Sequence, residues 1–330
     1  MESSITGYHG YIGEHLNAKN INDRGLQVLS VLNNGEDFAD LCQGYFSTIG
    51  TLVSDGKSQH AFEGVSHFRK GRLLWGQIKN GTFGYAAELK DCRTGSKSYD
   101  RTENDVELLK YVYMIYIPEG YCRCLLVLQK NGNIGIKSVL TKAIANRFNE
   151  YHKEDGMTLG FLPYLDINLL YEYMTSGEIV SIKFLKDKLP LDIANKIGAD
   201  DDEESAKAVL TFTKLRKRTI HKLLGEDLFQ RLKNKESTAG LARLDIGFDY
   251  DTIKLEISKE KQTRKTKVFN LIDSDGFIES REIVPPEGET EHGWPTFTYV
   301  CDKAFDYLCE LCYNLSIVKP EKPESFSSEK

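Results

Sequence analysis

The stretch from Gly71 to Lys137 constrains this chain more than any other part of it. It carries LLWGQIKNGTFGYAAELKD and then, after a polar break, LLKYVYMIYIPEGYCRCLLVLQ. Runs rich in branched and ring-bearing residues favour strands, because such side chains pack well on a pleated surface. Asn80-Gly81 lies between two of these runs. Both residues tolerate the positive φ that a type I′ turn demands, which predicts a hairpin there. Leu109 to Ile117 and Tyr121 to Gln129 flank Pro118-Glu119-Gly120, a second turn in which Pro118 presets φ and Gly120 supplies a permissive position. His60 to Phe68 alternates well enough to lead in as a further strand, turning at Arg69-Lys70-Gly71. The expectation is an antiparallel meander, with a helix over Ser138 to Tyr151 covering one face.

A chain of 330 residues has room for two domains with separate cores. The break at Ser176-Gly177 sets the boundary, giving residues 1–176 and 177–316. The Pro-, Ser-, Glu- and Lys-rich residues 317–330 read as a disordered tail. In the first part, helical spacing of Phe38, Leu41, Cys42 and Tyr45 predicts a short helix over Glu36 to Phe46. Asp91 to Asp105 reads as an exposed loop, Met157 to Leu165 as a strand, and Asp166 to Met174 as a helix. The second part alternates. Strands are expected at 177–185, 207–213, 241–248, 252–257, 265–272 and 277–283, and helices at 190–197 and 218–234. A last helix lies within Trp294 to Asn314, with Ala304, Phe305, Leu308, Leu311 and Cys312 along one face. The fold class is α+β: an N-terminal antiparallel β-meander with its covering helix, and a C-terminal mixed α/β domain with a basic face.

No apolar run approaches the roughly 18 residues that span a bilayer, and MESSITGYHGYIGEH lacks a basic start and an apolar core. Seven scattered cysteines suit reduced thiols. These features predict a cytoplasmic protein without membrane insertion. Cys309-Glu-Leu-Cys312 is a CxxC on an amphipathic helix. With only Cys301 as a third ligand and no second pair, buried packing thiols are the simpler reading than zinc. Cys122 and Cys124 read the same way, and Asp200 to Glu204 reads as a solvated acidic loop. The sequence has no phosphate-cradling glycine loop, nucleophile elbow or paired metal-binding histidines, and no cofactor is predicted. One catalytic pattern stands as an alternative. Glu88-Leu-Lys90 has the Glu-x-Lys shape of metal-dependent nucleases, in which carboxylates hold Mg²⁺ and the lysine meets the attacked phosphate. Glu63 or Asp55 would supply the second acid.

Basic residues give the strongest functional signal. Lys214, Arg216, Lys217 and Arg218, with Lys222 a turn later, open one cluster, and Arg231, Lys233 and Lys235 follow. Lys259, Lys261, Arg264, Lys265 and Lys267 fall within nine residues. A chain of net charge −6 that concentrates cations in this way is electrically polarised. Such a face binds phosphate backbones without reading sequence, and does so in a salt-dependent way. The competing reading is a solvated helix face beside a charged edge strand that resists aggregation.

GRLLWGQIKNGTFGYAAELKD with YIPEGYCRCLLVLQKNGNIGIKSVL, and GEIVSIKFLKDKLPLDIANKIGA with the basic stretch after it, resemble prokaryotic proteins of prophages and defence loci, including the Rex-type phage-exclusion proteins. The resemblance covers roughly residues 65–270 and rests on hydrophobic pattern. It implies a cytoplasmic, dimeric DNA-binding component of an abortive-infection system that works with a separate effector protein, and it implies no catalytic residue. Nonspecific DNA binding through Lys214, Arg216, Lys217, Arg218, Lys222, Arg264, Lys265 and Lys267 is therefore the leading expectation. A nuclease using Glu88 and Lys90, and a protein-interaction subunit of a defence complex, are the alternatives.

Overall fold

The computed structural model describes residues 3–14, 26–50, 52–55, 59–132, 134–152, 156–164, 178–186, 208–213, 252–258, 266–270 and 280–326. It is an α+β protein whose described strands pair antiparallel. The chain divides into two compact units, Met1–Phe161 with Ser280–Lys330, and Leu162–Glu279. The division expected near residue 176 assigned everything up to 316 to the second domain. The contacts instead return the chain to the first unit at Ser280.

The first unit is built on one large sheet. Its strands are β1 (Ser3–Glu14), β2 (Val53–Asp55), β3 (His60–Lys70), β4 (Leu73–Thr82), β7 (Glu107–Tyr116), β8 (Cys124–Asn131) and β10 (Met157–Pro163), in the order β10-β1-β8-β7-β4-β3-β2. Strand β9 (Ile134–Gly135) pairs with β8, and β15 (Ser280–Ile283) pairs with β1. The turn at Gly71, with φ of 56°, joins β3 to β4. Gly120, at 76°, lies in the connection from β7 to β8, which carries the expected Pro118-Glu119-Gly120 turn.

Asn80-Gly81 does not turn. Both residues lie inside β4, which runs on to Thr82 and pairs with β7 along its whole length. Glycine is needed there because a Cβ on Gly81 would fall 1.9 Å from the Glu107 carbonyl oxygen. At Gly76 it would fall 2.1 Å from that of Ser66. These glycines admit neighbouring backbone rather than a positive φ. Residues after Thr82 leave the sheet as a separate hairpin, β5 (Ala87–Lys90), expected as a strand of the meander, against β6 (Lys97–Arg101), which lies in the span from Asp91 to Asp105 expected as a loop. Arg101 anchors the base of this arm. Its guanidinium lies 3.9 Å from the Tyr85 ring centroid and donates to the Tyr85 hydroxyl (2.6 Å) and the Thr82 carbonyl (2.6 Å).

Helices cover both faces of the large sheet, which is why β7 and β8 read as near-continuous apolar runs. One face carries α1 (Phe38–Thr48) and α2 (Lys137–Tyr151), close to both sequence predictions. Phe46 stacks on Tyr113 at 4.5 Å, and Leu74, Ile78, Ile115 and Leu126 join the same core. Asp37 starts α1 by accepting from the Ala39 amide at 2.8 Å, while Arg72 grips both its carboxylate oxygens at 2.7 and 2.9 Å and donates to the Ile117 carbonyl. Helix α3 (Phe297–Asn314), within the predicted span, covers the other face with the expected residues buried. Gly7 of β1 lets it approach, since a Cβ there would meet Leu311 and Tyr307 at 3.0 and 3.1 Å.

The predicted disordered tail is ordered through Phe326. Ile317 and Phe326 are buried, and Phe326 meets Trp75 edge-on at 5.5 Å. The carbonyls of Val318, Lys322 and Phe326 accept from Tyr116, Lys70 and Thr298. Prolines 320 and 323 reduce the freedom lost on ordering, so the segment docks as an extended strap rather than behaving as a polar coil.

Candidate nucleic-acid interface

In the second unit the described residues form one sheet in the order β12 (Ala208–Thr213), β11 (Glu178–Lys186), β13 (Thr252–Ser258), β14 (Thr266–Asn270). All four strands lie where alternation predicted them. Ile182, Phe184, Leu255 and Ile257 are fully buried, and Phe184 meets Phe212 edge-on at 5.9 Å. β11 bulges between Ile179 and Ser181, and the Ser181 hydroxyl reaches Glu256 at 2.8 Å.

The pairing register fixes which strand ends lie together. Thr213, the last residue of β12, pairs with Ser181 near the start of β11. Ser258, the last residue of β13, pairs with Glu178 at that same start and with Thr266, the first residue of β14. The chain therefore leaves β12, leaves β13 and enters β14 at one end of the sheet. Lys214, Arg216, Lys217 and Arg218 follow Thr213 directly in the sequence. Lys259, Lys261, Arg264 and Lys265 are the connection from Ser258 to Thr266. Lys214, Arg216, Lys217, Arg218, Lys222, Arg264 and Lys265 lie outside the described residues, as do the acidic run 200–204 and the helices expected at 166–174, 190–197 and 218–234. Lys267 is in β14, opposite Ile257.

The Glu-x-Lys pair lies on the exposed arm. Glu88 pairs across the strands with Asp100, an acid the sequence reading did not consider. The Glu88 carboxylate is held by Lys90 (2.8 Å) and lies 3.9 Å from Lys97, which contacts Asp100 at 2.5 Å. Glu63 is on the large sheet, paired with Lys79 at 3.5 Å, and Asp55 is in β2 of that sheet. No group of three metal-ligating side chains occurs among the described residues. Cys301 and Cys312 of α3 are buried as packing predicted, Cys309 of the CxxC is half-buried, and burial pushes the Cys312 thiol up to about 12. That suppresses the nucleophilic thiolate.

A second polar site escaped the sequence reading. Gln77, Gln129 and Asn131 lie within strongly apolar strands on the α3-covered face. Together they line a 280 Å³ cavity. The only sequence signal was an amide in each of two apolar runs, LLWGQI and LVLQKN. No protein-family model matches this chain, and no curated protein matches it either.

Among the described residues, no helix is long and apolar enough to cross a membrane.

Proposed function

We propose that this protein binds nucleic acid, DNA above all, through the phosphate backbone. Lys214, Arg216, Lys217, Arg218, Lys222, Arg264, Lys265 and Lys267 are the contacts. In this reading it is the cytoplasmic, dimeric DNA-binding component of an antiphage abortive-infection system and acts with a separate effector protein. One observation carries the DNA-binding part: both basic clusters are attached to the same end of the four-stranded sheet, at Thr213 and between Ser258 and Thr266. Cations tethered at one end add their fields, and a duplex presents phosphates continuously along its length. The defence role rests on the sequence resemblance.

The test is a gel-shift titration of duplex DNA, single-stranded DNA and RNA at two salt concentrations, with and without Mg²⁺. Salt-sensitive shifts without degradation are expected. Charge reversal at Lys214, Arg216 and Lys217 should reduce the slope of log affinity against log salt by about 0.9 per lost duplex contact. Unchanged binding would sink the assignment. A second reading, a metal-dependent nuclease, draws support from the Asp100 carboxylate opposite Glu88. It requires Mg²⁺-dependent degradation that disappears in Glu88→Gln.

A further inference from the structure

We propose that the cavity between the large sheet and the start of α3 binds a nucleobase-bearing ligand. The orphan amides of Gln77 and Asn131 would read the base edge, Trp294 would stack on its face, and Lys110 would take its phosphate.

The argument begins with hydrogen bonds that are missing. β7 and β8 stop pairing beyond Tyr113 and Leu128, so Val112, which pairs with Gln77 of β4 on one side, has no partner residue in β8 on the other. Gln129 fills that gap. Its Oε1 accepts from the Val112 amide at 2.9 Å, and its Nε2 donates to the Ser3 hydroxyl at 3.0 Å and towards Asn131 Oδ1 at 3.4 Å. Gln129 is thus explained by the fold. Gln77 is not: it is only 9% exposed and its amide makes no hydrogen bond among the described residues. Asn131 is 2% exposed, and its Nδ2 has no acceptor there. Neither amide is among the buried polar atoms sealed without a partner, so each keeps hydrogen-bonding capacity open to the cavity. Two such groups lining one cavity mark a place where hydrogen-bond capacity is held for something that enters.

The walls narrow the chemistry. Strands β16 (Thr290–Glu291) and β17 (Trp294–Pro295) form a two-stranded arm. Its turn has φ of 50° at His292 and 81° at Gly293, the double positive φ of a type I′ turn. Glu289 closes the arm's base: its carboxylate accepts from the Thr296 hydroxyl at 2.7 Å, and its carbonyl accepts from the Thr296 amide at 2.9 Å. Trp294 is therefore presented to the cavity on a braced support. Lys110, at the rim, is exposed and makes no ion pair among the described residues. A side-chain amide offers a donor and an acceptor side by side, the complement of a base edge, and an indole stacks on any base. Gln77, Gln129 and Asn131 supply amides to the lining, and Glu291 and His292 of the arm line it as well. A volume of 280 Å³ suits a nucleotide rather than a large cofactor.

This site lies wholly within the first unit, and its argument is independent of the basic clusters at 214–267. The experiment titrates the full chain with the four nucleoside monophosphates, the matching nucleosides, short single-stranded oligonucleotides and monosaccharides, reading tryptophan fluorescence and calorimetry. At least one nucleotide should bind saturably with a Kd of about 1 mM or tighter. Gln77→Leu should weaken nucleotide and nucleoside alike by at least about tenfold while the thermal midpoint holds or rises, as the loss of base hydrogen bonds requires. Lys110→Glu, an exposed change, should weaken the nucleotide and leave the nucleoside unaltered. Oligonucleotide binding that is lost in Gln77→Leu, without binding of monomers, would assign the base to a strand instead of a free nucleotide. Charge reversal at Lys214, Arg216 and Lys217 should leave mononucleotide binding intact. Absence of saturable binding by any base-bearing probe, binding indifferent to Gln77→Leu, or preference for monosaccharides would overturn the proposal.

Discussion

The two faces of the large sheet both bury polar atoms without partners, yet they treat them differently. Under α1 and α2, the hydroxyls of Tyr111 and Tyr113 and the Oδ1 of Asn80 have no hydrogen bond. Tyr113 is sealed, stacked on Phe46, with its hydroxyl 2.8 Å from where a Cβ on Gly76 would stand. On the α3 side the Trp75 indole nitrogen is sealed in the same way, whereas the amides of Gln77 and Asn131 open onto a cavity. An unpartnered polar group is therefore a packing compromise where it is sealed and, on our proposal, recognition capacity where it opens onto space. What separates them is the space beside the atom, not its burial.

Five substitutions test that contrast. The largest acts on the sealed face: Phe46→Ala should cost about 4 kcal/mol in denaturant unfolding, since it removes the ring that closes over Tyr113. Arg72→Met comes next, at about 2 kcal/mol, because it leaves the Asp37 cap without its charged partner. Burial favours the protonated Asp37 acid. Even so, the Arg72 hydrogen bond, with that from the Ala39 amide, holds the carboxyl below the usual range. This stabilisation is present above the unfolded pKa and is lost as pH falls through the folded one. Arg72→Met should flatten that acid limb.

The third concerns His9 on the α3 side. Burial, with a smaller contribution from Arg123, lowers its pKa to about 3 from an ordinary value of 6.5. Between those values the unfolded chain binds the extra proton, so stability rises with pH across that window and falls on acidification. His9→Gln should remove a dependence of at most about 1.4 kcal/mol per pH unit. A His9 resonance titrating near 6.5 in the folded protein would contradict this.

The smallest effects are the most discriminating. Tyr113→Phe deletes a sealed, unpaired hydroxyl and Gln77→Leu an amide that opens onto the cavity, and each should change stability by no more than about 1 kcal/mol, in the stabilising direction. Only Gln77→Leu should alter nucleotide binding. If both variants, or neither, affected it, the distinction between the faces would collapse.

Much of the scaffold was legible in the sequence. Leu109 to Ile117 and Tyr121 to Gln129 announced β7 and β8, and the spacing of Phe38, Leu41, Cys42 and Tyr45 announced α1. Asn80-Gly81 misled because the local signal for a turn is the same dipeptide that here admits the Glu107 backbone. β1 went unseen because Ser3, Ser4, Gly7 and Gly10 carry little strand propensity. Neighbouring β8 and the approaching α3 determine it, and both are distant in sequence. The basic residues were legible as charge, but their shared point of attachment exists only in the register. Gln77 was invisible as a site, because a glutamine in a strand ordinarily marks the solvent side.

The return of the chain at Ser280 also sets an order of events during synthesis. β4, β7 and β8 emerge early, but the residues that roof Trp75, Met114 and Leu125 are made only after the whole of the second unit. For that interval a broad greasy surface awaits its cover. A slow ribosome or a stop codon shortly before Phe297 would hand that surface to chaperones or to aggregation.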